Sequence, residues 1–145
     1  MIPSARIATF IQGFETCTLV AMKPTANDQW TVGWGETGPH IIEGTTWTQE
    51  YADQSFANRL AGFGVGVSGL IKSATNQNQF DALTSFSYNE GLGHLAGSTL
   101  LRLHNAGDYA GAADQFSQWD LQAGVVLGGL ARRRAAERMI YLEAA

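Results

Sequence analysis

Residues 4–16 read SARIATFIQGFET and residues 31–39 read TVGWGETGP. The change of pattern between these two stretches decides the fold. In the first, Ile7, Phe10, Ile11 and Phe14 recur at i, i+3, i+4 and i+7, the spacing of an amphipathic helix, and Ser4 stands where an N-cap belongs. A helix over 4–15 is predicted, with Glu15 at its end. In the second, Gly33, Gly35 and Gly38 alternate with Val, Trp and Thr, as in short antiparallel strands joined by tight turns. That character runs from about 17 to 47.

Working outward, Thr48 is a good N-cap with Glu50 in the following turn, and from there the pattern is helical almost to the end. Glycine-rich breaks at Gly62–Gly69, Gly91–Gly97 and Gly124–Gly129 divide it into predicted helices near 49–61, 66–73, 77–90, 98–105, 108–118 and 130–143. Phe80, Leu83 and Phe86 share one face with Tyr88 close by, and Leu130, Ala131, Arg134, Met139 and Leu142 suggest a half-buried last helix. Helix, small β lobe and larger helical lobe make an α+β fold, with a cleft for the active site expected between the lobes. The chain 1–145 reads as one domain, with 16–47 as the β-rich lobe and 1–15 with 48–145 as the helical lobe.

Composition narrows the function classes. A hydrophobic content of 45% in 145 residues supports a packed core, and three prolines are too few for a linker-rich chain. The net charge of −4 argues against a general nucleic-acid binder, which needs a basic surface to neutralise phosphates. Four of the nine basic residues are Arg132, Arg133, Arg134 and Arg138, a run that reads first as a solvated helix face. Cys17 is the one cysteine, so no internal disulfide is expected, and it reads as a small buried apolar residue. The N-terminus lacks the basic then apolar pattern of an export signal, and no stretch reaches the ~18 apolar residues of a membrane span. Synthesis in the cytoplasm without membrane insertion is the expectation.

Chemistry concentrates around Glu15. The negative end of a helix dipole and apolar surroundings such as Phe14 both disfavour a bare carboxylate charge, the condition a general acid needs near neutral pH. A helix-terminal Glu is otherwise most often simply solvated. His40, His94 and His104 lack metal-ligand spacing, and the glycine runs lack the Lys and Ser/Thr of a phosphate loop, so neither metal nor nucleotide cofactor is expected. Trp30, Trp34, Trp47 and Trp119 are mostly core candidates, though Trp34 in the hairpin can stack on a sugar ring.

The stretch FE followed by a short polar segment and WTVGWGETGP resembles the catalytic region of the phage-type lysozymes, glycoside hydrolase family 24. QFDALTSFSYNEGLG, STLLRLHNAGDYAGAADQFSQW and GLARRRAAERMIYL resemble that family's helical lobe in the same order, so the likeness covers nearly the whole chain. It implies a muramidase that hydrolyses the β-1,4 link between N-acetylmuramic acid and N-acetylglucosamine, working as an endolysin without a cofactor. It further implies Glu15 as general acid, Thr31 holding the attacking water, and an Arg of the last helix, one of Arg132, Arg133 and Arg134, facing the acid or the anionic wall. The family's Asp falls at Pro24 and Thr25 here, because KPTANDQWT is one residue longer; Asp28 either takes its place or is a solvated turn residue. The family's Gly after the acid is Thr16, and its His after the glycine turn is Glu36. Glu36 reads as an exposed hairpin acid, a second cleft carboxylate, or a partner for an Arg. A monomer acting on peptidoglycan after release through a holin-type pore is expected. A lytic transglycosylase and an inactive glycan-binding module are the alternatives.

Overall fold

The computed structural model describes residues 1–122, 125, 126 and 128–144. Its elements in chain order are α1 (Ala5–Gln12), β1 (Thr18–Met22), β2 (Thr31–Gly33), α2 (Gln49–Leu70), α3 (Gln77–Glu90), α4 (Leu92–Ala96), α5 (Thr99–Asn105), α6 (Tyr109–Gln115), a 3₁₀ turn (Phe116–Trp119), β3 (Leu121–Gln122), β4 (Val125–Val126) and α7 (Gly128–Leu142). They fall into two compact units, residues 8–60 and residues 1–7 with 61–145.

The unit 8–60 is built on a small sheet. Strands β1 and β2 pair antiparallel with Thr18 opposite Gly33 and Met22 opposite Thr31, and the register shifts between these pairs. Residues 45–47 extend β1 on its other side through Ala21 N–H to Thr45 O (2.7 Å) and Trp47 N–H to Leu19 O (2.8 Å). Ala21, Val32 and Ile41 form the unit's buried cluster, with Trp30 and Trp47 packed against it. The first turn of α2 is capped by the Thr48 hydroxyl, which accepts from Tyr51 N–H at 3.1 Å, as the sequence suggested.

The other unit is organised around α3. Every residue from Phe80 to Tyr88 is buried, the mark of a helix packed on all sides rather than along one stripe. Phe86 meets the rings of Phe116 (6.0 Å) and Trp119 (5.2 Å), and Phe116 meets Tyr141 (5.5 Å). Each fully buried Phe of this kind contributes about 1.5–3 kcal/mol. The start of α3 is fixed by a capping box in which Asn76 and Gln79 bond each other's backbone. His104 is fully buried, between Tyr141 Oη (2.6 Å) and Thr75 Oγ1 (2.8 Å), and burial pulls it below the ordinary histidine value.

Three sequence expectations change. Glycines 62–69 do not break a helix: α2 runs unbroken through them, because the ~1 kcal/mol that each Gly costs is small beside tertiary packing. Gly91–Gly97 holds a short helix, α4, rather than a plain loop. Gly128 and Gly129 belong to α7, and Gly124 lies outside the described residues.

Candidate active site

Helix α1 closes at Gln12, earlier than the predicted Glu15, because Gly13 follows and the backbone tightens. Gly13, Phe14 and Glu15 continue as turns, with Phe14 N–H on Ile11 O (3.0 Å) and Glu15 N–H on Gln12 O (3.3 Å). Ser4 caps the start, accepting from Ile7 N–H at 3.2 Å. Glu15 therefore stands on a hydrogen-bonded turn beyond a short capped helix, and the ring of Phe14 packs on Phe10 at 5.1 Å.

The Glu15 carboxyl meets the turn that follows β2. Gly35 has φ +89°, and a Cβ built there would lie 3.0 Å from Glu15 Oε2. Only glycine holds that backbone without strain and admits a carboxylate so close. Gly33, with φ +64°, is constrained as well: a Cβ would come within 2.8 Å of the Trp47 ring. Val32 and Glu36 exchange backbone hydrogen bonds (3.0 and 2.9 Å), closing residues 33–35 into a narrow loop.

This loop is tied to α2 at three consecutive residues. Trp34 Nε1 donates to Asp53 Oδ1 at 2.8 Å, Arg59 donates to the Gly35 carbonyl at 3.4 Å, and Ser55 Oγ donates to Glu36 Oε1. Glu36 is half-buried and bonded to Ser55, so it is not an exposed hairpin acid. Thr31 stands at the start of β2 with its hydroxyl donating to Gln29 O at 3.2 Å. Asp28 closes a four-residue turn: its N–H reaches Thr25 O at 3.1 Å and its carboxylate accepts from Thr25 Oγ1 at 3.0 Å. That turn folds the longer loop back instead of leaving it extended. Cys17 is half-buried, with the Gln49 amide 3.6 Å from Sγ, rather than the buried apolar residue expected.

With this geometry in place, the family model for phage lysozyme matches residues 12–137 of the chain. The chain belongs to the phage lysozyme family. Among relatives of that kind, an endolysin of Bacillus phage B103 is 38% identical over 133 residues, covering 91% of this chain and 51% of that protein. The chain thus spans about half the length of the curated relatives it matches first. An endolysin from Escherichia coli O157:H7 phage FAHEc1 superposes with a TM-score of 0.88 at 33% identity, covering 99% of this chain and 94% of that one. The muramidase domain of SpmX from Asticaccaulis excentricus gives 0.87 at 32% identity, with 97% of each chain covered. The lysozyme-like α+β fold is therefore established.

Within this family setting the arginine run of α7 is a solvated face only at Arg132 and Arg138. Arg132 is exposed, but Arg133 and Arg134 are 3% and 1% exposed, and both surround Glu137, which is wholly buried. Arg134 Nε lies 2.7 Å from Glu137 Oε1, and its guanidinium also reaches Glu90 (3.0 Å) and Asn89 (2.9 Å). Arg133 Nε lies 3.3 Å from Glu137 Oε2, and its other nitrogens reach the Ser85 carbonyl at 3.2 Å. Burial pushes the Glu137 carboxyl up from its ordinary value, opposed by Arg134 and Arg133. Met139 and Leu142, expected to be inward, are the exposed residues instead. The helix turns Arg133, Arg134 and Glu137 inward because α3 offers polar partners in Ser85, Asn89 and Glu90, which a hydrophobic periodicity cannot reveal.

Of the sequence-named residues, Glu15, Asp28, Thr31, Trp34 and Glu36 share the unit 8–60, while Arg132 and Arg133 belong to the other. Sequence reasoning missed Gln49, Asp53, Ser55 and Arg59 altogether. Their i, i+4 pairs, 49 with 53 and 55 with 59, were the available signal, but such pairs are ordinary on a helix surface. Among the described residues no group of three or more His, Cys, Asp or Glu is placed to hold a metal, and no helix is long and apolar enough to cross a membrane.

Proposed function

We propose that this chain hydrolyses the β-1,4 bond between N-acetylmuramic acid and N-acetylglucosamine in peptidoglycan, with Glu15 protonating the leaving oxygen. The observation that carries this is the Glu15 carboxyl held against Gly35, at the end of a loop that begins on Thr31. Inverting glycoside hydrolysis needs an acid on one face of the sugar and a group that activates or aims water on the other. Thr31 has a hydroxyl that both donates and accepts, so it orients water without being the base. Asp28 is the carboxylate proposed to face that water; the Thr25–Asp28 turn supports this by folding its loop back. Trp34 and Glu36 of the turn complete the set proposed to hold the glycan; Arg133, buried against Glu137 and Ser85, is not part of it. Release from the host cytoplasm through a holin-type pore, and action as a monomer on the wall, belong to the same reading.

The test is clearing of outer-membrane-permeabilised cells by wild type and Glu15→Gln, with mass spectrometry of the released fragments. Loss of at least ~10²-fold is expected from Glu15→Gln, as for a removed general acid, and wild-type products should carry reducing ends. Retention of more than a tenth of wild-type clearing removes Glu15 as the acid. Asp28→Asn should also cost at least ~10²-fold; a near-wild-type rate leaves the water to Thr31 and Glu36.

A further inference from the structure

The residue that touches the Glu15 carboxyl, Gly35, has no side chain with which to hold its own place. Its neighbours do the holding. Both ends of the 33–35 loop are closed by the Val32–Glu36 backbone pair, so the loop moves as a piece, and its attachment to α2 sets where Gly35 stands. Among these three links, the Arg59 bond to the Gly35 carbonyl is long at 3.4 Å, whereas the Trp34 indole N–H meets Asp53 Oδ1 at 2.8 Å. Asp53 is itself aimed: the same oxygen accepts from Gln49 Nε2 at 2.8 Å, one turn earlier on α2. The Trp34 ring also packs at 6.2 Å from Phe56, the next inward residue of that helix. Asp53 and Gln49 are exposed, so the anchor rests on direction: one carboxylate oxygen receives two charge-assisted N–H bonds on the helix surface.

We propose that Asp53 is a positioning residue for Glu15: by holding the Trp34 indole to α2, it fixes the loop whose Gly35 backbone the acid rests against. This rests on the reading of Glu15 as proton donor. Asp53 touches neither the substrate nor Glu15 in this scheme; its effect travels through Trp34 and one peptide unit. Displacing a catalytic group by about 1 Å costs on the order of 10²-fold in rate, so a loosened loop should be felt in turnover more than in binding.

The experiment compares wild type, Asp53→Ala, Asp53→Asn, Trp34→Phe and the double variant Asp53→Ala/Trp34→Phe on soluble peptidoglycan fragments. Asp53→Ala should lower kcat about 10–100-fold, while KM stays near the wild-type value and the protein remains fully folded by circular dichroism. Asp53→Asn should recover most of the loss, since its amide oxygen still accepts from the indole. Trp34→Phe keeps an aromatic ring but loses the donor, and should lower kcat comparably, with no further loss in the double variant. Wild-type kcat in Asp53→Ala, an Asn variant no better than Ala, losses that multiply, or a loss matched by the unfolded fraction would each overturn the proposal. A readout free of catalysis accompanies these: the Gly35 amide and Glu15 carboxyl NMR resonances should both move in Asp53→Ala. If wild type cleaves nothing, the function reading fails, and unmoved resonances would separately refute the positioning.

Discussion

Replacing Glu137 by Gln removes the carboxylate shared by two buried guanidinium groups while keeping the side chain's size. Arg133 and Arg134 lie 3.3 and 2.7 Å from its carboxyl oxygens, and the carboxyl also accepts from Ser85 Oγ at 2.5 Å. Breaking a buried ion pair by removing one partner costs about 3–5 kcal/mol, because the remaining charge stays desolvated. Here Arg134 keeps Glu90 at 3.0 Å and Asn89 at 2.9 Å, which places the loss at the lower end, about 3 kcal/mol. At roughly 3 °C per kcal/mol for a chain of this size, the midpoint should fall by about 10 °C. Urea unfolding followed by circular dichroism gives the free energy, with an unchanged denaturant slope expected, and calorimetry gives the midpoint. Glu137→Asp, which keeps the charge but shortens the reach, should lose less than Glu137→Gln. A Glu137→Gln protein within ~1 kcal/mol of wild type would refute the claim that this carboxyl is dry and needed by both arginines.

Two further outcomes follow from particular residues. His104 is pulled below its ordinary value by burial, so the unfolded chain binds its proton more readily than the folded one. Stability should be full above pH ~6.5 and should fall as pH drops below that, by at most about 1.4 kcal/mol per pH unit from this group; His104→Gln should flatten that part of the profile in urea titrations, and an identical profile would count against it. Gly35→Ala must place a Cβ 3.0 Å from Glu15 Oε2 at φ +89°, so glycan cleavage should fall at least ~10-fold while the strain costs only about 1–2 kcal/mol of stability. Unaltered cleavage would show that the close approach has no bearing on the acid.

The sequence was sufficient for whatever depends on local chemistry. The spacing of Ile7, Phe10 and Ile11, the caps at Ser4 and Thr48, and the glycine alternation after Thr31 specify their elements because backbone geometry and capping act over a few residues. The motif order around Glu15 was enough to suggest the family for the same reason: a turn that needs a positive-φ glycine leaves a mark in the sequence itself. Tertiary structure decided what depends on distant partners. Whether glycines 62–69 end a helix is settled by packing and not by propensity, and α2 continues through them. Whether an Arg-rich segment faces water depends on whether another element supplies acceptors: Arg133 and Arg134 are buried because Ser85, Asn89 and Glu90 come from α3, more than forty positions earlier. Asp53 carried only the ordinary i, i+4 pairing with Gln49 in the sequence, since its meaning lies in meeting the Trp34 indole, and a hydrogen bond across 19 residues exists only once the hairpin has folded back onto α2.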